Sequence, residues 1–262
     1  GAVTVDELIR GVGLALGEDT GRCSTIDANG DDQVTVDELT AGVVTALSSC
    51  PAPPAIRFAT FDIDSPAKPA DTPGSPGVVV SNEKLLTQLG AVADLNFARY
   101  PRFHFDDASD RPDAILILVP GFEAGANTFK ILAENLLQRA RRDDQLIVEV
   151  WAYDRRSNQL EDTAGLDVAE TLEDPQVALD WLYGGELGLP LSPALATLGR
   201  RAVFYNTQSD IPFMANWTGL TFSRDIDAIV TAAHARARHE NVFLGGHSAG
   251  TGFTARYAAT DF

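Results

Sequence analysis

Six consecutive apolar residues, AILILV at 114–119, leave few folds open to this chain. A run so short and without polar alternation reads as a strand buried on both faces. Beyond it, helical and strand-like segments alternate. ANTFKILAENLLQRARR (126–142) carries Phe129, Leu132, Leu136 and Leu137 at helical spacing and ends in a basic turn, which suits a helix C-terminus. QLIVEVWAY (145–153) is a second strand, AGLDVAETL (164–172) and PQVALDWLY (175–183) are helical, RDIDAIVTAAHARAR (224–238) is another helix, and NVFLG (241–245) another buried strand. Strands alternating with helices require crossover connections, so the predicted fold is α/β, with a mainly parallel sheet covered on both faces. IRFATFDI (56–63) and RFHF (102–105) add strand-like composition. Residues 184–223, rich in Gly, Pro and aromatics, break the rhythm; a cap insertion over an active site and a plain connecting excursion both fit.

Directly after the strand at 241–245 stands Gly246-His247-Ser248-Ala249-Gly250, a G-x-S-x-G pattern. Between a buried strand and a helix, two glycines let the backbone turn tightly and present the serine at the top of the sheet. Gly252 and Ala255 are expected to hold the following helix close to that sheet. LVPGFEAG (118–125) ends the first strongly buried strand. Over residues 114–262, and less clearly from about 55, these parts resemble the α/β-hydrolase superfamily, in its serine esterase and lipase-like branch. The resemblance implies Ser248 as nucleophile, with Phe122 N–H and Ala249 N–H receiving the oxyanion. The usual His-Gly before the oxyanion residue is Pro120-Gly121 here. It further implies the chain order nucleophile, acid, histidine. After Ser248 the sequence has one acid, Asp261, and no histidine. His247 is expected to point away from Ser248, and His234 and His239 to lie on the surface. The chain therefore reads as a fragment, with an incomplete sheet and without the triad acid and base. Asp154, Arg155 and Arg156, after the second strand, are expected to make structural ion pairs.

The front of the chain is built differently. GAVTVDELIRGVGLAL (1–16) and DDQVTVDELTAGVVTAL (31–47) are copies of one unit at an offset of 31 residues. In the second copy, Asp27 to Glu38 places oxygen side chains at the first, third, fifth, ninth and twelfth positions: Asp27, Asn29, Asp31, Thr35 and Glu38. That is the spacing by which a loop wraps a hard cation, with Gln33 offering a backbone carbonyl and Glu38 binding through both oxygens. The segment resembles an EF-hand loop in dockerin-like arrangement, which implies structural Ca2+ and a protein partner for the repeats. Asp32 stands where glycine is usual, so weaker binding is expected. Leu39, Val43, Val44 and Leu47 form a helical stripe expected to be core between the repeats.

The chain thus reads as three regions: a small all-α repeat domain at 1–50 with its first copy truncated, a Pro-rich linker at 51–77 holding a first strand, and an α/β domain at 78–262. A formal net charge of −17 argues against nucleic acid, whose phosphates need clustered Lys and Arg. No apolar run reaches the roughly 18–20 residues of a membrane helix. Gly1 is a poor natural start, so the missing leader is uninformative. Cys23 and Cys50 fit either a reduced cytosolic pair or a disulfide in an exported protein; a periplasmic or extracellular location is the expectation adopted. Two functions remain in play: a serine hydrolase acting on a small-molecule ester or acyl substrate, and a non-catalytic α/β binder attached to a calcium-dependent docking module.

Overall fold

Both faces of β3 (Ala114–Val119) are covered, as its unbroken apolar composition demands. The structure is a computed structural model that describes Ile9, Val12 and residues 33–49, 55–106 and 111–262. The chain divides into two compact units, Gly1–Pro54 and Ala55–Phe262.

In the first unit α1 (Val36–Ser49) begins at a reciprocal capping box. Thr35 N–H and Thr35 Oγ1 both donate to Glu38 Oε2 at 2.9 Å, while Glu38 N–H donates to Thr35 Oγ1 at 3.3 Å. Two backbone donors that a helix start leaves open are thereby satisfied. The stripe expected as core is exposed at Val43 and Val44. Among the residues of this helix whose burial is described, Gly42 is buried and Leu39 half-buried, so its inward face runs along these two.

The second unit is built on a five-stranded sheet. β1 (Ile56–Asp64) runs antiparallel to β2 (Phe97–Phe105) over its whole length, from Ile56 opposite Phe105 to Asp64 opposite Phe97. β2 meets β4 (Val148–Ala152) antiparallel at Arg102–Trp151 and Phe103–Val150. β4, β3 and β5 (Val242–Gly246) are parallel, and the strand order is β1-β2-β4-β3-β5. The sheet is thus mixed rather than mainly parallel. The β1–β2 connection carries only the short α2 (Glu83–Leu89) and does not impose a parallel crossover.

Alternation along β3 assigns its side chains to two layers. Ile115, Ile117 and Val119 pack with Trp151 and Tyr153 against Ile226, Ile229 and Ala233 of α6 (Gly219–Arg236). Leu118, Val150 and Ala152 pack on the other side against Ala133 and Leu137 of α3 (Lys130–Asp144). Each fully buried Ile or Leu contributes roughly 1.5–3 kcal/mol by leaving water. α4 (Ala164–Leu172) and α5 (Pro175–Tyr183) form a separate cluster around Trp181 with Leu195. α5 starts where its sequence says: Asp174 caps Gln176 N–H at 2.9 Å, and Pro175 takes the first helical position.

The Pro-rich stretch 64–77 departs from the surface-running segment expected of it. It winds through turns that bury Ser65, Thr72 and Ser75, because these hydroxyls have partners inside. Ser65 Oγ donates a short hydrogen bond to Asp225 Oδ1, and Trp217 Nε1 donates to Thr72 Oγ1 at 3.0 Å. Asp225 is the centre of a fully buried network. Arg156 grips it through Nε at 2.8 Å and Nη2 at 2.7 Å, and Tyr153 Oη donates to it at 3.2 Å. Arg156 also donates to Asn96 Oδ1 at 3.1 Å and Ala67 O at 2.7 Å. Both charged side chains are fully buried. Among the described residues no helix is long and apolar enough to cross a membrane.

Candidate functional site

β5 ends at Gly246, and His247 N–H still continues the parallel ladder, donating to Val119 O at 3.0 Å. The chain then turns at Ser248, with φ 52° and ψ −121°. A residue with a side chain adopts such a conformation at a cost of about 1–3 kcal/mol, so the surroundings must impose it. They do. A Cβ at Gly246 would stand 2.4 Å from Gly250 C and O, and a Cβ at Gly250 would stand 2.1 Å from Val119 O. The strand end and the helix start approach closer there than any side chain allows. α7 (Ala249–Ala258) begins directly after Ser248, which occupies its N-cap without a side-chain capping bond. The hydroxyl is therefore left out of the helix cap, on an exposed residue at the C-terminal end of β5. The helix start is held by backbone groups instead: Gly250 N–H donates to His247 O at 2.8 Å and Thr251 N–H to Ser248 O at 3.0 Å. Gly252 does not serve as expected, since a Cβ there would meet open space; Gly246 and Gly250 make the close approach.

The loop after β3 comes to the same place. A Cβ on Gly121 would lie 3.1 Å from Ser248 Cβ, 3.3 Å from His247 O and 3.4 Å from His247 Nδ1. Phe122 is next in the loop, its ring largely exposed. Among the described residues neither Phe122 N–H nor Ala249 N–H has a hydrogen-bond acceptor. Two backbone donors without a partner among the described residues thus stand next to Gly121 and Ser248 in the chain, in the segments that follow β3 and β5.

Two residues that the sequence marked only for ion pairing hold this loop from β4. Arg155 Nη2 donates to Gly121 O at 2.8 Å and to Ala124 O at 3.1 Å. Asp154 Oδ1 accepts from Ala126 N–H at 2.7 Å. Burial pushes the Asp154 carboxyl above its ordinary range, with the Ala126 N–H opposing that rise. Among the described residues, Arg156 alone of the three makes the expected structural ion pair, with Asp225. The roles of Arg155 and Asp154 run through backbone groups, which have no sequence signature.

The histidines lie elsewhere or face another way. His104 is in β2, with β4 and β3 between it and β5, about 14 Å at the usual strand spacing. Its Nδ1 lies 2.9 Å from Phe105 O. His234 and His239 are exposed and precede β5, a strand's length of about 16 Å from its other end. His247 sits beside Gly121, and among the described residues no ring hydrogen bond joins it to Ser248. Residues 184–223 contain two short helical turns, Pro193–Leu195 and Pro212–Asn216, and from Gly219 they form the start of α6. They line a cavity of about 650 Å3 among Tyr205, Ile211, Pro212 and Met214, whose walls include neither Ser248 nor Phe122.

Of the residues expected to hold calcium, Gln33, Thr35 and Glu38 are described, while Asp27, Asn29 and Asp31 lie outside the described residues, as do Cys23 and Cys50. Thr35 and Glu38 are drawn together by the capping box. Among the described residues no group of three His, Cys, Asp or Glu side chains is placed to hold a metal. The chain matches no protein-family model, and no curated protein is significantly similar to it.

Proposed function

We propose that Ser248 is the nucleophile of a serine hydrolase acting on carboxylic esters, in an α/β-hydrolase type of domain. The observation that carries this is the Ser248 backbone at φ 52° and ψ −121°, imposed by two glycine contacts, with its hydroxyl free of the helix cap. A structural serine at a helix N-cap would accept a hydrogen bond from the first turn; this one does not. In the proposed reaction Ser248 Oγ attacks the acyl carbonyl carbon and its proton passes to a base. The carbonyl oxygen, now negative, sits between Phe122 N–H and Ala249 N–H. Collapse of that intermediate expels the alcohol, which takes the proton from the base, and water then releases the acid. Each backbone donor of this kind supports the transition state by about 3–4 kcal/mol. Among the described residues none of the four histidines makes a hydrogen bond to Ser248, so none of them is assigned as that base. Treatment with a fluorophosphonate in the presence of imidazole, which supplies the base, and peptide mapping tests this. Modification at Ser248, abolished in Ser248→Ala, is the expected result; modification spread over other serines, with none at Ser248, overturns it.

For the first unit we propose calcium binding by Asp27, Asn29, Asp31, Gln33, Thr35 and Glu38. The donors described are all oxygens, and Thr35 and Glu38 stand within 2.9 Å of each other, as the ninth and twelfth positions of a cation loop would. A bound ion would supply only structural cross-linking of the loop. Glu38→Gln separates the two duties of this side chain, because Gln also serves at the third position of a capping box while losing the charged bidentate ligand. Calorimetry with calcium chloride on residues 1–262 is expected to show binding that is largely lost in Glu38→Gln, with α1 retained by circular dichroism. Absence of heat in the unsubstituted chain would end the calcium reading.

A further inference from the structure

We propose that Arg155 is a positioning residue that fixes the Gly121–Phe122 peptide plane, and so aims Phe122 N–H at the oxyanion; this rests on the reading of Ser248 as nucleophile. The carbonyl that Arg155 holds at 2.8 Å is that of Gly121, the other half of the peptide bond whose N–H belongs to Phe122. A trans peptide is planar, with its C=O and N–H pointing in opposite directions, so fixing the oxygen fixes the hydrogen. The same Nη2 reaches Ala124 O at 3.1 Å and closes the loop from both ends.

This loop needs such a lock. Gly121 has no side chain to resist rotation of its peptide, and Glu123 beyond it sits at φ 54°. A flipped peptide would present the Gly121 carbonyl toward the serine, where it would repel a developing negative charge. The placement of Arg155 is also costly unless it does something there. It is 9% exposed, its Nε has no hydrogen-bond partner, and among the described residues it makes no ion pair. Buried cations are ordinarily paired with a carboxylate. Arg155 has two carbonyls and the Phe253 ring, 5.8 Å from its guanidinium carbon. Asp154 feels the charge of Arg155 without forming an ion pair with it, so the cation still adds positive potential beside the oxyanion loop, and it polarises the peptide so that Phe122 N–H becomes a stronger donor.

The test uses residues 1–262 with Arg155→Met and Arg155→Lys. The rate of Ser248 modification by a fluorophosphonate, with imidazole added to supply the base, is followed by mass, with Ser248→Ala as blank. Arg155→Met is expected to slow it about 10–100-fold, somewhat less than outright loss of one oxyanion donor, and Arg155→Lys to recover part of the rate through its single charged donor. In parallel, 15N-phenylalanine spectra, with Phe122 assigned by Phe122→Leu, are expected to show the Phe122 amide shifted or broadened in Arg155→Met. An unchanged rate and an unmoved Phe122 amide overturn the proposal. Should the unsubstituted chain not be modified at Ser248, the nucleophile reading fails, and the Phe122 amide still decides whether Arg155 holds the peptide. If Arg155→Met does not fold, Arg155→Lys is read against the unsubstituted chain by the same two measurements.

Discussion

Asp225→Ala is expected to lower the stability of the second unit by about 3–5 kcal/mol, the cost of leaving a buried charge without its partner. Arg156 would keep hydrogen bonds to Asn96 Oδ1 and Ala67 O but lose both contacts to the carboxylate. Ser65 Oγ and Tyr153 Oη would lose their acceptor as well. For a unit of this size the loss corresponds to a fall in Tm of roughly 6–20 °C. Urea is the denaturant of choice, because guanidinium would screen the charges being tested. The double substitution Arg156→Met with Asp225→Leu should recover much of the loss, since removing both charges removes the unpaired one. A single-mutant loss below about 1 kcal/mol would mean that water reaches the network, and the account of it as a buried anchor for residues 64–77 would fall.

The parts of this fold that were legible in the sequence are those fixed by local pattern. β3 was readable because six apolar residues in a row, too few for a helix of ordinary length, suit a doubly covered strand. The bounds of α4 and α5 were readable because Asp174-Pro175 marks a helix start by a cap and a fixed φ. Ser248 was readable as a turn residue because two glycines bracket it, and the structure gives each a backbone atom that forbids a Cβ. Strand order was not legible. β1 lies at one edge beside β2, and β2 runs against β4, through pairings between residues far apart in sequence. No local pattern encodes which edge a strand joins. The Pro-rich stretch misled for a related reason: proline fixes φ and reads as loop, but burial of its serines and threonine depends on Asp225, Asn96 and Trp217 from distant elements. Arg155 was legible only as a charge after a strand, since its acceptors are carbonyls that every residue carries.

The other large expected effect is on chemistry. Residues 1–262 are expected to hydrolyse a p-nitrophenyl ester far below an enzyme's rate. The serine is exposed and both backbone donors are free among the described residues, so part of the machinery is in place. A serine hydroxyl is nevertheless a weak nucleophile at neutral pH without a base to take its proton. His104 lies across two intervening strands, and His234 and His239 precede β5 at its far end. His247 adjoins the site but makes no hydrogen bond to Ser248 among the described residues. The rate that an oxyanion hole and binding leave behind in a triad enzyme stripped of its triad is on the order of 10³–10⁴ over the uncatalysed reaction, and that is the ceiling expected here. The measurement compares residues 1–262 with Ser248→Ala under the same ester concentration across neutral pH. A small difference that vanishes in Ser248→Ala fits the proposed chemistry. A Ser248-dependent rate of ordinary enzymatic size would mean that one of the four histidines acts as base, with His247 the first to replace because its ring already lies against Gly121.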